Sequence, residues 1–365
     1  MTDSAQTSTS CVLVTGGAGF IGCAISDGLV DAFETVVAFD NFHPQIHPTA
    51  TRPADLASDV VLVEGDVTDP AAWDALLTSH RPDVVIHLAA ETGTGQSLTE
   101  STRHASVNVV GTSQMLDAFT RHDVLPRRIV LTSSRAVYGE GAWVRPDGER
   151  FYPGQRSNEI LSRGEWDFPG AEPTAMDAAC TFPAPASVYA ATKLAQEHLV
   201  DVWSRSVGVE RTILRLQNVY GPGQSLINPY TGIMSLFCRL ARAGESIPLY
   251  EDGDVRRDFV LIDDVARAVV IAATSPISPD QPIDIGSGET QTIRDAAELI
   301  AERYAAPAPH VTGLFRQGDV RHAWANVEAA HRVWGWAPRH SLRDGIAQLT
   351  EWIDAELDST APVQA

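Results

Sequence analysis

Residues 12–22 read VLVTGGAGFIG, an apolar run that leads through a cluster of glycines into a helical pattern. The run ends at Thr15 and is rich in β-branched residues, which is typical of a buried strand. Gly16 then permits a tight turn, Gly19 lets the main chain approach a ligand, and Gly22 lets the next helix pack on the strand. The stretch therefore predicts a dinucleotide pyrophosphate site at the start of that helix. The alternative is an ordinary glycine-rich turn.

Short apolar runs alternate with helical patterns along the first half of the chain. The runs have the length and composition of buried parallel strands, and they cover residues 11–15, 35–39, 60–63, 83–88 and 128–132. Helices with one apolar face are predicted at residues 20–30, 71–79 and 100–121. This alternation predicts an α/β fold with a doubly wound parallel sheet of the Rossmann type and right-handed crossovers.

The second half of the chain is less regular. Residues from about 140 to 183 are rich in glycine, proline and aromatic side chains, which predicts a long insertion. A helix is expected over 189–206, a strand that returns to the sheet over 211–216, and further helices over 262–273, 292–304, 327–334 and 342–357. We therefore expect a dinucleotide-binding domain, residues 1–220 with the insertion, and a smaller mixed substrate domain, residues 221–365, woven into the first.

The composition is that of a globular protein, with 44% apolar and 20% charged residues. The formal charge of −20 argues against phosphate backbones and anionic lipid, so we expect neither nucleic acid nor membrane as a partner. The four cysteines form no CxxC pair and the first ten residues are polar, which favours a cytoplasmic protein with reduced thiols. Neither the cysteines nor His43 and His47, in a loop interrupted by Pro44, predict a metal site.

The second predicted strand is followed by Asp40, 18 residues after Gly22. This is close to the spacing at which an acidic side chain accepts hydrogen bonds from the adenosine ribose. A carboxylate there would repel a 2′-phosphate, so the sequence favours NAD over NADP; the alternative is that Asp40 caps the following loop. His87 is expected to be a packed strand residue. The candidate cofactor contacts are Gly16, Gly19, Phe20, Ile21, Gly22, Asp40, Asn41, Asp66, Val67, Leu88, Ala89 and Ala90.

Three side chains form a candidate catalytic set. Ser134 follows the fifth predicted strand, at the edge of the sheet where open α/β folds bind ligands. Tyr189 and Lys193 are four residues apart on a predicted helix and so share one face. A tyrosine of pKa ~10 is a poor base at neutral pH, but a nearby ammonium and a positive nicotinamide ring would stabilise its phenolate. The set could remove a hydroxyl proton while hydride leaves the same carbon; the alternative is a Tyr/Lys pair on a surface helix.

Seven motifs occur in a fixed order along nearly the whole chain: TGGAGFIG, HLAA, SSRAVYG, YAATK, LRLQNVYGPG, DGDVRRDFVLIDD and FRQGDVRH. With them the chain resembles the extended short-chain dehydrogenases/reductases, the family of NAD-dependent nucleotide-sugar epimerases and dehydratases. The resemblance implies that Ser134, Tyr189 and Lys193 are catalytic, and that Asn108 and Lys193 help to seat NAD. It also implies a homodimer, in which the helices near 100–121 and 187–206 build a four-helix bundle.

The same resemblance implies that the substrate is a nucleotide-diphosphate sugar, bound by Asn218, Arg257 and Arg316. Arginine suits this role because its planar guanidinium group meets two phosphate oxygens at once. Ordinary surface ion pairing is the alternative for each of these arginines.

The reaction type depends on the two residues directly after Ser134. Related 4,6-dehydratases would need an Asp-Glu pair there, but this chain has Arg135 and Ala136, which favours a 4-epimerase. SSRAVYGEG, LQNVYGPGQSLINPYTGI and the loop FHPQIHP resemble the branch that acts on dTDP-L-rhamnose. Epimerisation of UDP-glucose or UDP-glucuronate is the first alternative, and 4,6-dehydration or reduction the next. A noncatalytic dinucleotide sensor is disfavoured because the catalytic set is intact.

Overall fold

The computed structural model describes residues 10–226 and 232–360. Two stretches used in the sequence predictions lie outside the described residues: most of the polar start of the chain, and residues 227–231 of the LQNVYGPGQSLINPYTGI motif.

The longest strands belong to the central sheet, and the strands outside it have only two or three residues. The strand bounds are β1 Cys11–Thr15, β2 Thr35–Asp40, β3 Val61–Glu64, β4 Val84–His87, β5 Arg128–Ser134, β6 Trp143–Val144, β7 Arg150–Phe151, β8 Glu172–Pro173, β9 Glu210–Leu216, β10 Asn218–Tyr220, β11 Pro248–Leu249, β12 Arg256–Arg257, β13 Phe259–Leu261, β14 Ile283–Ile285, β15 Gln291–Thr292, β16 His310–Val311 and β17 His322–Ala323.

The helices are α1 Phe20–Val30, α2 Pro70–Ser79, α3 Gln96–Thr99, α4 Ser101–Ala105, α5 Thr112–Arg121, α6 Asn158–Ser162, α7 Val188–Val207, α8 Ile233–Arg242, α9 Ile262–Thr274, α10 Ile293–Tyr304, α11 Glu328–Trp334 and α12 Leu342–Thr360, with a 3₁₀ turn at Arg135–Tyr138. The predicted helices are present within a few residues of their expected bounds, and α3, α6 and α8 were not predicted. No helix in the described part of the chain is long and apolar enough to span a bilayer.

The central sheet has seven parallel strands in the order β3-β2-β1-β4-β5-β9-β14. The predicted doubly wound sheet is therefore confirmed. The chain moves outward from β1 to β3 and then returns to β4 on the other side of β1. At such a reversal the carboxyl ends of neighbouring strands border a crevice, which is where open α/β sheets bind ligands.

Apolar side chains cover both faces of this sheet. On one face, α1 and α9 bury Ile25 and Val269 against the strands. On the other face, α2 and α5 bury Trp73 and Phe119, whose rings are in edge contact. Because both faces are covered, the strands consist of nearly continuous apolar residues rather than an alternating pattern.

The predicted helix over 100–121 contains an irregularity that its periodicity did not indicate. Residues Ser106–Gly111 form a π-helical turn between α4 and α5. The turn carries Asn108, whose Nδ2 donates to Glu91 O at 3.0 Å and to Thr192 Oγ1 at 2.9 Å. Single π turns within helices are frequent at functional sites, and this one lies beside the predicted site.

The insertion folds into a small unit of its own. Strands β6, β7 and β8 form an antiparallel sheet. The buried ring of Trp143 packs edge-on against Phe168, with 4.9 Å between the ring centroids. The insertion is joined to the later part of the chain by buried ion pairs. The Arg156 guanidinium donates to both carboxylate oxygens of Glu251 at 2.9 Å and to Glu140 at 3.1 Å. Arg321 pairs with the same Glu251 at 3.0 Å.

Residues after 220 serve two structural purposes. Strand β14 completes the central sheet beside β9, and α9 packs against α1. Helices α8, α10 and α12 enclose a separate apolar cluster that includes Phe237, Ile300 and Leu349. The later part of the chain is thus built into the sheet as well as beside it.

Candidate active site

The glycine turn between β1 and α1 shows three different requirements. Gly16 has φ +68°, and a Cβ atom there would lie 2.8 Å from Ala89 N. A Cβ on Gly22 would lie 2.5 Å from Gly17 O, so the helix is in direct contact with the turn. A Cβ on Gly19 would meet only Gly16 O, at 3.2 Å, so the space in front of Gly19 is open. The protein's own backbone excludes a side chain at Gly16 and at Gly22, whereas Gly19 leaves room for a bound ligand.

This turn opens onto a cavity of about 1060 Å³. The N-terminus of α1 has no side-chain cap, so its first N–H groups are available to a ligand. The predicted site residues on the cavity wall are Gly16, Gly19, Phe20, Ile21, Gly22, Asp40, Asn41, Val67, Leu88, Ala89, Ala90, Ser134, Tyr189, Lys193, Asn218, Arg257 and Arg316. Residues that the sequence placed at one site thus line one cavity.

Asp40 is held at the end of β2 by backbone groups. Its Oδ2 accepts a hydrogen bond from Ala18 N at 3.0 Å, and its Oδ1 accepts one from Phe42 N at 2.9 Å. The second of these bonds is the loop cap that the sequence left open as an alternative. Each oxygen retains a further lone pair, and the carboxylate lies on the cavity wall.

Two predicted cofactor contacts, Asp66 and Asn108, are not among the residues that line the cavity. Asp66 accepts from Asn41 Nδ2 at 2.9 Å and from the Thr68 hydroxyl at 2.7 Å. Burial acts to raise the pKa of Asp66, but the hydrogen bonds from Thr68 and Asn41 hold it below its ordinary value. Asn108 is fully buried, and its amide is shared between the Glu91 backbone and Thr192. Both side chains brace neighbours that do reach the cavity.

Ser134 and Tyr189 are brought together by the end of β5 and the first turn of α7. The Ser134 Oγ accepts from Ala136 N at 3.2 Å, and Ser187 caps the helix that carries Tyr189. Burial raises the pKa of the Tyr189 phenol above its ordinary value, while the Ser134 hydroxyl and the Arg135 charge act in the opposite direction. The half-buried phenol therefore lies beside a hydroxyl and a cation on the cavity wall.

Lys193 lies one turn further along α7. Its Nζ donates to Gln196 Oε1 at 2.6 Å, and the residue lines the same cavity as Tyr189. Burial lowers the pKa of Lys193 to about 7, against the effect of Glu197. The buried His87 ring contacts the hydroxyls of Thr15 and Thr112, and burial together with Lys193 lowers its pKa to about 3. His87 is thus a neutral, packed strand residue at neutral pH.

Arg135 was singled out in the sequence only because it occupies the position of a missing acid. In the structure its Nε donates to Asn218 Oδ1 at 2.6 Å, and the side chain lines the cavity. Arg257 lies nearby, held by the carbonyl groups of Arg256, Val320 and Arg321. Burial and the neighbouring Arg135 lower the pKa of Arg257 to about 9. The sequence signal that could have predicted these cations on the cavity wall is the arginine directly after Ser134, the hydroxyl residue at the end of β5.

Arg316 differs from these two arginines because it is exposed. Its guanidinium lies over the Tyr250 ring, 5.1 Å from the centroid, at the rim of the cavity. The cationic groups therefore extend from the reactive hydroxyls to the surface. Within residues 10–226 and 232–360, no three His, Cys, Asp or Glu side chains are grouped so that they could hold a metal ion.

Comparison with known proteins agrees with this arrangement. Residues 12–286 match the NAD dependent epimerase/dehydratase family. The chain is 55% identical to a dTDP-L-rhamnose 4-epimerase of Burkholderia thailandensis, covering 95% of this chain and 96% of that protein. It also resembles the UDP-glucose 4-epimerase of Thermotoga maritima, solved with UDP-glucose (26% identity, TM-score 0.78, 95% and 99% coverage). The enzyme of the same name from Thermus thermophilus, solved with NAD, is 28% identical with TM-score 0.73 and 94% and 99% coverage.

Proposed function

The chain belongs to the NAD dependent epimerase/dehydratase family, and from this premise we propose that it is a nucleotide-sugar 4-epimerase acting on dTDP-L-rhamnose. The observation that carries the proposal is the meeting of Ser134 and Tyr189 on the same cavity wall as the glycine turn. The identity of 55% to a dTDP-L-rhamnose 4-epimerase supports the choice of sugar.

The residues present fit NAD. The open space at Gly19 and the uncapped N-terminus of α1 suit a pyrophosphate, and Asp40 suits the ribose hydroxyls. Asn41, Val67 and residues 88–90 would complete the walls. Asp66 and Asn108 would support the site indirectly: Asp66 is hydrogen-bonded to Asn41, and Asn108 to the backbone of Glu91. When bound, NAD supplies the hydride acceptor and, later, the hydride donor.

The catalytic side chains would handle the proton. Tyr189 takes the proton of the sugar C4 hydroxyl as hydride leaves C4, and Ser134 donates a hydrogen bond to the same oxygen. Lys193 lies within the same buried wall and would hold the cofactor ribose. The cavity would let the resulting 4-keto sugar present its opposite face to the cofactor, and Tyr189 would then return the proton to the C4 oxygen.

Asn218, Arg257 and Arg316 would bind the nucleotide diphosphate. Arg257 has no carboxylate ion pair among the described residues, so its charge is available to an anion. Two of the three residues come from residues 221–365, which we propose as the substrate domain, with residues 1–220 as the cofactor domain. A 4,6-dehydratase is disfavoured because Arg135 and Ala136 supply no acid–base pair beside Ser134.

The proposal includes a cytoplasmic homodimer. Val110 and Val202, on the two helical segments expected to form the interface, are 46% and 63% exposed. Apolar side chains of this size on adjoining helices suit burial against a second copy. All four cysteines are free thiols, as a reducing compartment would keep them. Light scattering of wild type and Val202→Glu tests the dimer: the variant should be monomeric.

The experiment that tests the function is incubation of the purified protein, without added cofactor, with dTDP-L-rhamnose and separately with UDP-glucose. NMR of the products reads the configuration at C4. We expect inversion of the rhamnose derivative from retained NAD. Conversion of UDP-glucose alone would contradict the choice of substrate, and a 4-keto-6-deoxy product would contradict epimerisation.

A further inference from the structure

Arg135 is a half-buried cation that no carboxylate neutralises directly. Its Nε is bonded to Asn218 Oδ1, but its two Nη groups have no hydrogen-bond partner and no ion pair among the described residues. Among the described residues, the fully buried arginines other than Arg257 each pair with a carboxylate. Arg156 and Arg215, for example, each form hydrogen-bonded pairs with buried glutamates. A charge withdrawn from water without a partner is costly, so its retention calls for a functional reason.

The surroundings of Arg135 point to the reactive hydroxyls. It directly follows Ser134 in the chain, and it lines both the main cavity and a small recess beside Ser187 at the start of α7. Burial lowers the pKa of Arg135, and the side chains that act in the opposite direction are Asp319 in the loop before β17, Tyr189 on α7, Asp258 after β12 and Glu140 in the insertion. Arg257 on β12 faces it as a like charge. Tyr189 is the group among these that the proposed reaction ionises.

We propose that Arg135 is a positioning residue for proton transfer: its guanidinium group stabilises the ionised phenol of Tyr189 from the substrate side of the cavity. This role rests on the proposed function of Tyr189 as the base. It supplements Lys193, whose Nζ is bonded to Gln196. An arginine keeps its charge throughout the working range of pH, whereas burial lowers the pKa of Lys193 to about 7.

The hydrogen bond to Asn218 gives this role a fixed geometry. Asn218 begins β10, which pairs with β13 in register with Phe259, and its amide oxygen orients the guanidinium through Nε. The Nη groups have no other hydrogen-bond partner among the described residues, so they are available to groups within the cavity. The two residues come from different elements, so neither motif alone indicates the pairing.

The test compares Arg135→Met, which removes the charge, with Arg135→Lys, which keeps a charge at similar length. In NAD-loaded protein, ultraviolet absorbance of phenolate is titrated with pH for each variant, and the same titration with Tyr189→Phe added is subtracted. We expect Arg135→Met to raise the apparent pKa of Tyr189 by at least about one pH unit, and Arg135→Lys to restore most of the wild-type value. Near neutral pH, the turnover of Arg135→Met should fall about tenfold for each unit by which the Tyr189 pKa rises, and it should recover as the pH is raised.

Arg163→Met serves as the matched control, because this arginine is exposed in the insertion, away from the cavity. Circular dichroism and NAD content establish that each variant is folded and loaded. An unchanged titration with a raised KM would overturn the proposal and assign Arg135 to binding the diphosphate. An equal rise of the apparent Tyr189 pKa and an equal loss of turnover in Arg135→Met and Arg135→Lys would also overturn it. If wild type converts neither sugar, the proposed function fails, but the absorbance titration still decides the role of Arg135.

Discussion

At the cofactor end of the cavity, formed by the glycine turn and the ends of β1, β2 and β4, most of the decisive contacts involve backbone of residues 12–22, which meets Ala89 and Asp40 at the neighbouring strand ends. At the substrate end, formed by Arg135, Arg257 and the elements around them, they come from side chains that are far apart in sequence. The Arg156 guanidinium pairs with Glu251, which is 95 residues away in sequence. The Glu140 carboxylate accepts a hydrogen bond from the backbone amide of Arg321, which is 181 residues away. A local motif therefore describes the first end, and long-range packing determines the second.

The two ends also differ in what holds them together. The turn depends on the absence of side chains at Gly16 and Gly22, where any Cβ would collide with backbone. The insertion and the later part of the chain depend on buried charges, whose stability requires every partner to be present. A substitution at the cofactor end should therefore change NAD content, whereas a substitution at the substrate end should change the stability of the fold and leave NAD bound. Single substitutions can test this separation, and their expected effects range from loss of turnover to a small shift in melting temperature.

The largest effect is expected at the boundary between the two ends, where Tyr189 faces both. Tyr189→Phe removes the hydroxyl that transfers the proton and keeps the ring that fills the wall. Turnover should fall about 10²–10⁴-fold, which is the contribution typical of one acid–base group. NAD content after purification and the affinity for the nucleotide sugar should stay close to wild type. Full activity in this variant would refute the assigned role, and loss of NAD would mean that the two ends are not separable here.

The second prediction concerns the substrate end alone. Arg156→Met leaves Glu140 without its arginine and Glu251 with Arg321 alone, all in a buried setting. The free energy of unfolding should fall by about 3 kcal/mol, since breaking a buried pair leaves an uncompensated charge. Urea denaturation measures this loss, and NAD content should be retained in the folded protein.

Arg163→Met is the control for that loss. Arg163 lies in the same insertion and pairs with Glu159 and Glu165, but it is exposed. Its unfolding midpoint should match that of wild type, because exposed ion pairs contribute little. Equal destabilisation by both substitutions would contradict the view that buried charge holds the substrate end.

The same contrast explains what the sequence could predict. The strands of the central sheet were predicted within one or two residues, except for β14, because buried parallel strands are continuous apolar runs. Ser134, Tyr189 and Lys193 were assigned to one site, and they do line one cavity. The residues concerned lie at strand and helix ends, where topology alone brings them together.

The features that the sequence did not predict depend on contacts between distant residues. The π turn at Ser106–Gly111 follows no apolar period, and it is accompanied by the bonds that Asn108 makes to Glu91 and Thr192. Arg156 and Arg321 lie in irregular stretches, so no local pattern shows that they share Glu251. Arg135 was considered only as a missing acid, because its partner Asn218 is 83 residues away.

The third prediction concerns the cofactor end alone. Gly16→Ala places a Cβ 2.8 Å from Ala89 N at a residue with φ +68°, so the turn must move. We expect a loss of about 1–3 kcal/mol in stability and purification without NAD. Gly208→Ala is the matched control, because Gly208 has φ +77° at the end of α7 but no atom within 4 Å of the added carbon. It should lose some stability and keep NAD; loss of NAD in both variants would show that strain alone, without the contact to Ala89, releases the cofactor.

The smallest effect is expected from titration at the substrate end. Hydrogen bonding from His322, and after it from Arg321, holds the pKa of Asp167 well below its ordinary value against the opposing effect of burial. A lowered pKa contributes stability above the unfolded value of about 4, and this contribution is lost as the pH falls below it. Asp167→Asn should therefore flatten the decrease of the melting temperature between pH 5 and pH 3, by about 1–2 °C because Asp167 is half exposed. Asp147→Asn, an exposed aspartate of the same insertion, should follow the wild-type curve. A wild-type slope in Asp167→Asn would mean that the contacts of Asp167 with His322 and Arg321 do not stabilise the substrate end in acid.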